Sequence, residues 1–180
     1  MKAIFLCEKT DKIFSVFTDE TVSELQKLTD IEKKVYIKEE VLRDPALFSD
    51  IAFIFSTWGM PEFTEDEIKL CFPSLKCVFY GAGTVQKFAR PFLECGVKVF
   101  SAWAANAVPV AELTVAQIIL ANKGYFVSNR TYHTQGNREA RDVFNKCRGN
   151  YGETVGIIGA GMIGKLVIKM LKQYNLKVIV

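Results

Sequence analysis

The chain has 180 residues, 49% of them hydrophobic and 24% charged, with a net charge of +3 at pH 7. This is the composition of a soluble globular protein with room for a buried core, and so small a charge gives no argument for nucleic acid as a partner. The charge is uneven: residues 102–180 carry ten basic and four acidic side chains, a net +6 that suits an anionic ligand or, equally, a solvated basic helix face.

The five cysteines, Cys7, Cys71, Cys77, Cys95 and Cys147, are odd in number and lack C-x-x-C spacing. That argues against a disulfide framework and against a zinc site. Cys7 and Cys95 lie in apolar surroundings and are expected to be buried thiols. The opening MKAIFLCEK is too short an apolar run for a signal peptide and is interrupted by Glu8, so a cytoplasmic location is expected.

Residues 2–7 form a continuous apolar run, the pattern of a strand buried on both faces. Thr21 and Glu24 are spaced as a capping box for a helix reaching Leu28. Further strands are predicted at 34–38, 51–56, 76–80 and 97–101. Between them, Thr64 and Glu67 cap a helix ending near Phe72-Pro73, and a second helix runs from Val85 to Glu94 before Gly96. Buried-type strands alternating with helices predict an open parallel α/β sheet, whose ligands bind beyond the carboxyl ends of the strands. Two loops fall at that edge, Ser56-Thr57-Trp58-Gly59-Met60 and Gly81-Ala82-Gly83-Thr84. The second can present successive backbone N–H groups to a small carboxylate, or be a simple turn.

From Asn106 to about Phe126 the residues are apolar all round, which predicts a long helix with Pro109 in its first turn. Such a helix needs cover on every side, so it is expected to join two domains and to contribute to a subunit contact. Glu112, Gln117, Asn122 and Lys123 interrupt it too soon for a membrane span. Residues 128–150 are polar and are expected to be an irregular surface segment. His133, the only histidine, lies there without an orienting carboxylate and is expected to be a surface group.

The chain then reads Val155-Gly156-Ile157-Ile158-Gly159-Ala160-Gly161-Met162-Ile163-Gly164, an apolar strand running into G-x-G-x-x-G, with a helix through Lys172 and another strand at 177–180. Strand, glycine turn and helix in this order form a dinucleotide-binding pattern rather than a chance glycine-rich turn. Glycines allow the tight turn, the approach of a pyrophosphate, and close packing of the helix whose N-terminal N–H groups face the phosphates.

This order resembles the D-isomer-specific 2-hydroxyacid dehydrogenase family over essentially the whole chain. The resemblance rests on Asn106-Ala107-Val108-Pro109-Val110-Ala111-Glu112-Leu113-Thr114, on VGIIGAGMIG, and on the loops VFYGAG and STWG. It implies a flavodoxin-like parallel-sheet substrate domain over residues 1–102. Residues 103–180 would be the linking helix and the first part of a Rossmann β-α-β domain. It further implies NAD as cofactor, with NADP open, a small 2-hydroxy or 2-oxo acid as substrate, and a homodimer formed through the nucleotide domain. By the same resemblance, the amides around Gly81, Ala82 and Gly83 hold the substrate carboxylate, and Trp58 and Gly59 shape the mouth. Val110 lies near the nicotinamide, and Gly159, Ala160, Gly161, Met162, Ile163 and Gly164 lie against the pyrophosphate. One departure stands out: Thr84-Val85-Gln86-Lys87 occupies the place where many members carry an Asp or Asn.

The arginine, acid and histidine that serve the family's chemistry fall after the glycine motif, and residues 165–180 offer no candidates for them. The chain is therefore expected to be the N-terminal part of such a dehydrogenase, inactive by itself. The alternative is a dinucleotide-binding regulatory or interaction module that does no chemistry.

Overall fold

The computed structural model describes residues 1–180 and divides into two compact units, Met1–Trp103 and Ala104–Val180. The first unit contains a five-stranded, all-parallel sheet in the order β2-β1-β3-β4-β5. Its strands are β1 (Lys2–Leu6), β2 (Asp30–Tyr36), β3 (Ile51–Ser56), β4 (Cys77–Tyr80) and β5 (Lys98–Ser101). The connections carry α1 (Thr10–Val16), α2 (Asp19–Leu28), α3 (Lys38–Arg43), a 3₁₀ turn (Pro45–Phe48), α4 (Glu65–Cys71) and α5 (Ala89–Glu94).

The apolar runs of β1 and β3 are continuous because both faces of the sheet are buried over these strands. Ala3, Phe5 and Cys7 point to one face, packing with Ile13, Val22 and Phe55. Ile4 and Leu6 point to the other, with Ile54, Val78, Phe72 and Phe92. On the first face the cover thins towards β5: Phe79 stacks on Phe55 and Phe100 at centroid distances of 5.1 and 5.3 Å, and Phe100 is half exposed.

Several predicted boundaries are corrected. The cap of α2 is Thr18, whose hydroxyl accepts from the Thr21 amide, so the box predicted at Thr21–Glu24 lies inside the helix. Strand β2 begins four residues before the predicted start, and Lys38 opens α3 rather than closing a strand. Helix α1, α3 and the 3₁₀ turn are too short to show a helical repeat in sequence. Helix α5 covers only the second half of the range predicted from Val85. The Thr64–Glu67 capping box is present: the Thr64 hydroxyl accepts from the Glu67 amide and Glu67 accepts from the Thr64 amide.

The second unit holds α6 (Trp103–Asn122), α7 (Tyr125–Gln135), α8 (Asn137–Lys146), β6 (Glu153–Gly156), α9 (Met162–Leu171) and β7 (Leu176–Ile179). Strands β6 and β7 pair in parallel, with Val155 opposite Val178. Ala111 and Val115 of α6 pack with Val167 and Leu171 of α9, beside Val155 and Val178.

Here too the sequence reading is corrected. Helix α6 starts at Trp103, which puts Pro109 in its interior, where the missing N–H removes one helical hydrogen bond. It is not covered all round: Ala107, Ala111 and Val115 form one buried stripe, while Val108, Val110 and Leu113 are exposed. With 20 residues and a mean hydropathy of 1.5 over its most apolar window, α6 is long and apolar enough to cross a membrane by length and composition alone, a test that the core helix of a soluble protein also passes. Residues 128–150 are helical rather than irregular: α7 and α8 form an antiparallel hairpin hinged at Gly136, whose φ of 109° only glycine adopts readily. No residue of α7 and only Ala140 of α8 is buried, yet α8 does carry apolar residues at helical spacing, Ala140, Val143 and Phe144, within an otherwise charged stretch.

Candidate functional site

All five strands of the first unit are parallel, so their carboxyl ends share one edge. Three strand ends build a cleft of about 610 Å³ there. Its walls include Glu8 and Lys9 after β1, Gly59 to Glu62 after β3, and Tyr80, Thr84, Lys87 and Phe88 from the end of β4 onward. Lys38, at the head of α3, closes the fourth side.

The loop after β3 is fastened to the end of β1. The Glu8 amide donates to the Gly59 carbonyl at 2.9 Å, and the Cys7 thiol donates to the Trp58 carbonyl at 3.4 Å. Gly59 has a φ of 111°, and a Cβ there would stand 3.0 Å from the Cys7 sulfur, so both conformation and space require glycine. Burial is the largest influence on the Cys7 thiol and pushes its pKa up. On the far side, Lys38 Nζ donates to the Glu62 carbonyl at 2.7 Å and to Glu67 Oε2 at 2.8 Å. The Glu67 carboxylate is held below the usual carboxylate range, first by this hydrogen bond from Lys38.

The loop after β4 is held from within. The Gly81 amide donates to the Ser56 carbonyl, and the Ser101 hydroxyl lies 2.9 Å from the Ala82 carbonyl and 2.5 Å from that of Gly83. With these carbonyls turned to Ser101, the amides of Ala82, Gly83 and Thr84 donate to no acceptor within the chain. Ala82 is fully buried, so of these only the amides of Gly83 and Thr84 can face an anion, two successive donors of the kind that line anion-binding concavities. A Cβ on Gly81 would meet Val16 Cγ1 at 2.8 Å, so this glycine is required by the packing of α1.

Of the residues singled out in sequence, Gly59 forms part of the cleft wall, with Thr84 from the second loop. Trp58 is half exposed, Ala82 is buried, and neither they nor Gly81 and Gly83 line the cleft. Lys9, Lys38, Tyr80 and Lys87 were not singled out as site residues; their signal was position alone, immediately after strand ends. Thr57, also in the first loop, is fully buried with no partner for its hydroxyl.

The second unit places its glycine turn between β6 and α9. The ladder extends one residue past β6, with the Ile157 amide donating to the Ile179 carbonyl at 2.8 Å. Gly159 then takes a φ of 92° and Gly161 forms the N-cap of α9. The helix therefore begins at Met162, inside the glycine motif, and includes Gly164. A Cβ on Gly164 would overlap the Gly159 carbonyl oxygen, whereas a Cβ on Gly161 would meet nothing within 4 Å. No side chain caps α9 and no acidic residue stands in its first turn, so the amides of Met162, Ile163 and Gly164 and the positive end of the helix dipole are uncompensated. Ala160, Met162 and Ile163 are exposed around it. This is a cradle with donors and space for a phosphate group, and it fits a dinucleotide.

Val110 is exposed on α6 and its carbonyl accepts from the Thr114 hydroxyl. His133 lies on α7, exposed, with its ring 5.5 Å edge-on from Tyr132. No group of three or more His, Cys, Asp or Glu side chains converges anywhere in the chain. Cys7 and Cys71 are buried, while Cys95, expected to be buried, is half-buried at the end of α5.

No protein-family model and no curated protein matches the sequence. Solved structures do match, among them several dehydrogenases and reductases of small acids. An NAD-dependent formate dehydrogenase from Staphylococcus aureus aligns with a TM-score of 0.63 at 20% identity, over 99% of this chain and 55% of its own. A phosphoglycerate oxidoreductase from Rhizobium etli aligns with a TM-score of 0.69 at 17% identity, over 98% and 54%. A D-mandelate dehydrogenase from Rhodotorula graminis gives 0.67 at 19%, again over 98% and 54%. The α/β fold of this chain is thus the one those dehydrogenases share, and the chain spans about half the length of each.

Proposed function

We propose that this chain forms the substrate domain and the opening of the nucleotide domain of an NAD(P)-dependent oxidoreductase acting on a small 2-hydroxy or 2-oxo acid. The observation that carries the reading is the turn at Gly159–Gly164, where free amides, an uncapped helix and open space over Gly161 coincide. The fold shared with a 2-hydroxyacid dehydrogenase, a D-mandelate dehydrogenase and a D-lactate dehydrogenase supports it. Gly159, Ala160, Gly161, Met162, Ile163 and Gly164 would hold the pyrophosphate, with Val110 towards the nicotinamide. The bound cofactor would supply a hydride to the substrate carbonyl carbon. The loop at Ala82–Thr84 would bind the substrate carboxylate through the amides of Gly83 and Thr84, while the Ser101 hydroxyl holds the Ala82 and Gly83 carbonyls. Trp58 and Gly59 would border the substrate. A homodimer through the second unit would cover exposed residues of α6 such as Val108 and Leu113.

Within these 180 residues the reading assigns binding, not proton transfer. His133 is remote in sequence from both loops and has no orienting carboxylate. The same fact supports a second reading, a dinucleotide-binding module without chemistry. The two separate as follows. The purified chain is expected to bind NADH, measured by quenching of nicotinamide fluorescence or by calorimetry, and to show no turnover with pyruvate, glyoxylate or hydroxypyruvate. Failure to bind either NADH or NADPH overturns the dinucleotide assignment. Binding of NADH without any response to 2-oxo acids in the loop amides favours the module.

A further inference from the structure

The cleft in the first unit contains cations that a simple 2-oxo acid leaves unused. Lys9, Lys38 and Lys87 all line it. Lys38 is already engaged, pairing with Glu67 and lying 4.9 Å from the Phe63 ring centroid. Lys9 and Lys87 take part in none of the chain's ion pairs. The acidic groups facing the same space are Glu8 and Glu62. Glu8 Oε1 accepts from the Lys38 amide at 2.9 Å, and neither carboxylate pairs with a lysine. At about 610 Å³ the cleft is far roomier than a bare three-carbon acid needs. Lys87 also stands in the segment where the sequence departs from its resemblance, Thr84-Val85-Gln86-Lys87.

We infer that the cleft selects 2-oxo or 2-hydroxy acids bearing a second anionic group, a carboxylate or a phosphate, which Lys87 binds with help from Lys9. This rests on the reading of the loop at Ala82–Thr84 as the carboxylate site. Of the loop residues Thr84 borders the cleft, and Lys87 lies three residues on in the same wall, so a ligand held at the Thr84 end of the loop extends along the wall that carries Lys87. A lysine in a partly walled cleft forms a charge-assisted hydrogen bond to such a group, stronger than the same pair on open surface. A substrate without a second anion gains nothing from it.

The test is a titration of the isotope-labelled 180-residue chain, followed by amide chemical shifts at constant ionic strength. The ligands are pyruvate as a monoanion, 2-oxoglutarate as a dicarboxylate and 3-phosphoglycerate as a phosphate-bearing 2-hydroxy acid. Shifts at Ala82, Gly83 and Thr84 are expected with all three, with one of the doubly anionic ligands binding about tenfold more tightly than pyruvate, the gain of one charge-assisted contact. Which of the two it is identifies the second group. Lys87→Gln is expected to remove that preference and leave pyruvate binding unchanged, with Lys9→Gln having a smaller effect of the same kind. Equal affinities for all three ligands, or a preference that survives both substitutions, overturn the inference while leaving the carboxylate loop intact. If no ligand moves the loop amides, the carboxylate assignment itself fails, and the inference with it.

Discussion

The carbonyl oxygen of Gly159 occupies the place where a side chain on Gly164 would begin. The turn is thereby closed on itself: the first glycine bends back over the first turn of α9, and the third has no room for even a methyl group. Gly164→Ala is expected to destabilise the second unit by about 1–3 kcal/mol, because the obstacle is backbone and cannot rotate away. That outweighs the ~1 kcal/mol alanine contributes to a helix interior. Urea unfolding followed by circular dichroism measures it.

Gly161 makes the opposite prediction, since its Cβ would meet nothing. Gly161→Ala is expected to leave stability within about 0.5 kcal/mol of the parent, as for a substitution in open space. NADH affinity should nevertheless fall at least severalfold, because the methyl group enters the space a phosphate would use. Unchanged affinity in a calorimetric titration would remove Gly161 from the proposed site.

In the first unit, Gly81 and Val16 are fitted to each other, with 2.8 Å between Val16 Cγ1 and the position of an added Cβ. Gly81→Ala alone should cost about 1–3 kcal/mol by overpacking. Adding Val16→Ala is expected to recover part of that loss, giving a coupling of 0.5 kcal/mol or more in a double-mutant cycle, in the range of about 0.5–3 found for touching residues. Additive losses would show that the loop is not held by α1.

The Lys38–Glu67 pair predicts a pH dependence. Lys38 first, and the Thr64 amide after it, lower the folded-state pKa of Glu67 below its unfolded value of about 4.3. The unfolded state therefore takes up the proton first on acidification. The contribution to stability is present above about pH 4.3 and is lost as pH falls through the lower folded value. The stability difference between the parent and Glu67→Gln, about 1 kcal/mol or less for a pair this exposed, should be flat at pH 6–7 and shrink below about pH 4. A difference that grows on acidification would contradict the assigned pairing.

Burial pushes the thiols of Cys7 and Cys71 up, and both are shielded from solvent. A brief pulse of iodoacetamide at pH 8 should label the half-buried Cys77, Cys95 and Cys147 and leave Cys7 and Cys71 unmodified until denaturant is added. Peptide mass spectrometry reads the pattern. Rapid labelling of Cys7 would show that the loop at Trp58–Gly59, fastened to its sulfur, opens readily.

The strands of the first unit and the glycine turn of the second were legible in the residues themselves. A strand buried on both faces must be apolar throughout, as Ile4–Cys7 and Ile51–Phe55 are, and a turn needing a positive φ, here at Gly159, must use glycine. The α7–α8 hairpin was not read from the sequence: α7 buries nothing and has no apolar repeat, and the repeat of α8, Ala140, Val143 and Phe144, is short and set among charged residues. The cleft was legible only in part. Local sequence marks the loops at Trp58–Gly59 and Gly81–Gly83, but it does not show that Ser101 turns the loop's carbonyls inward from the end of the next strand. Nor does it show that Lys38, Lys9 and Lys87, from three separate connections, line one space. Local sequence thus determined the parallel α/β architecture and the phosphate-type turn, because burial and backbone conformation act residue by residue. Only the tertiary structure decided which donors are left free and which charges meet, because those depend on strand order bringing distant strand ends to a common edge.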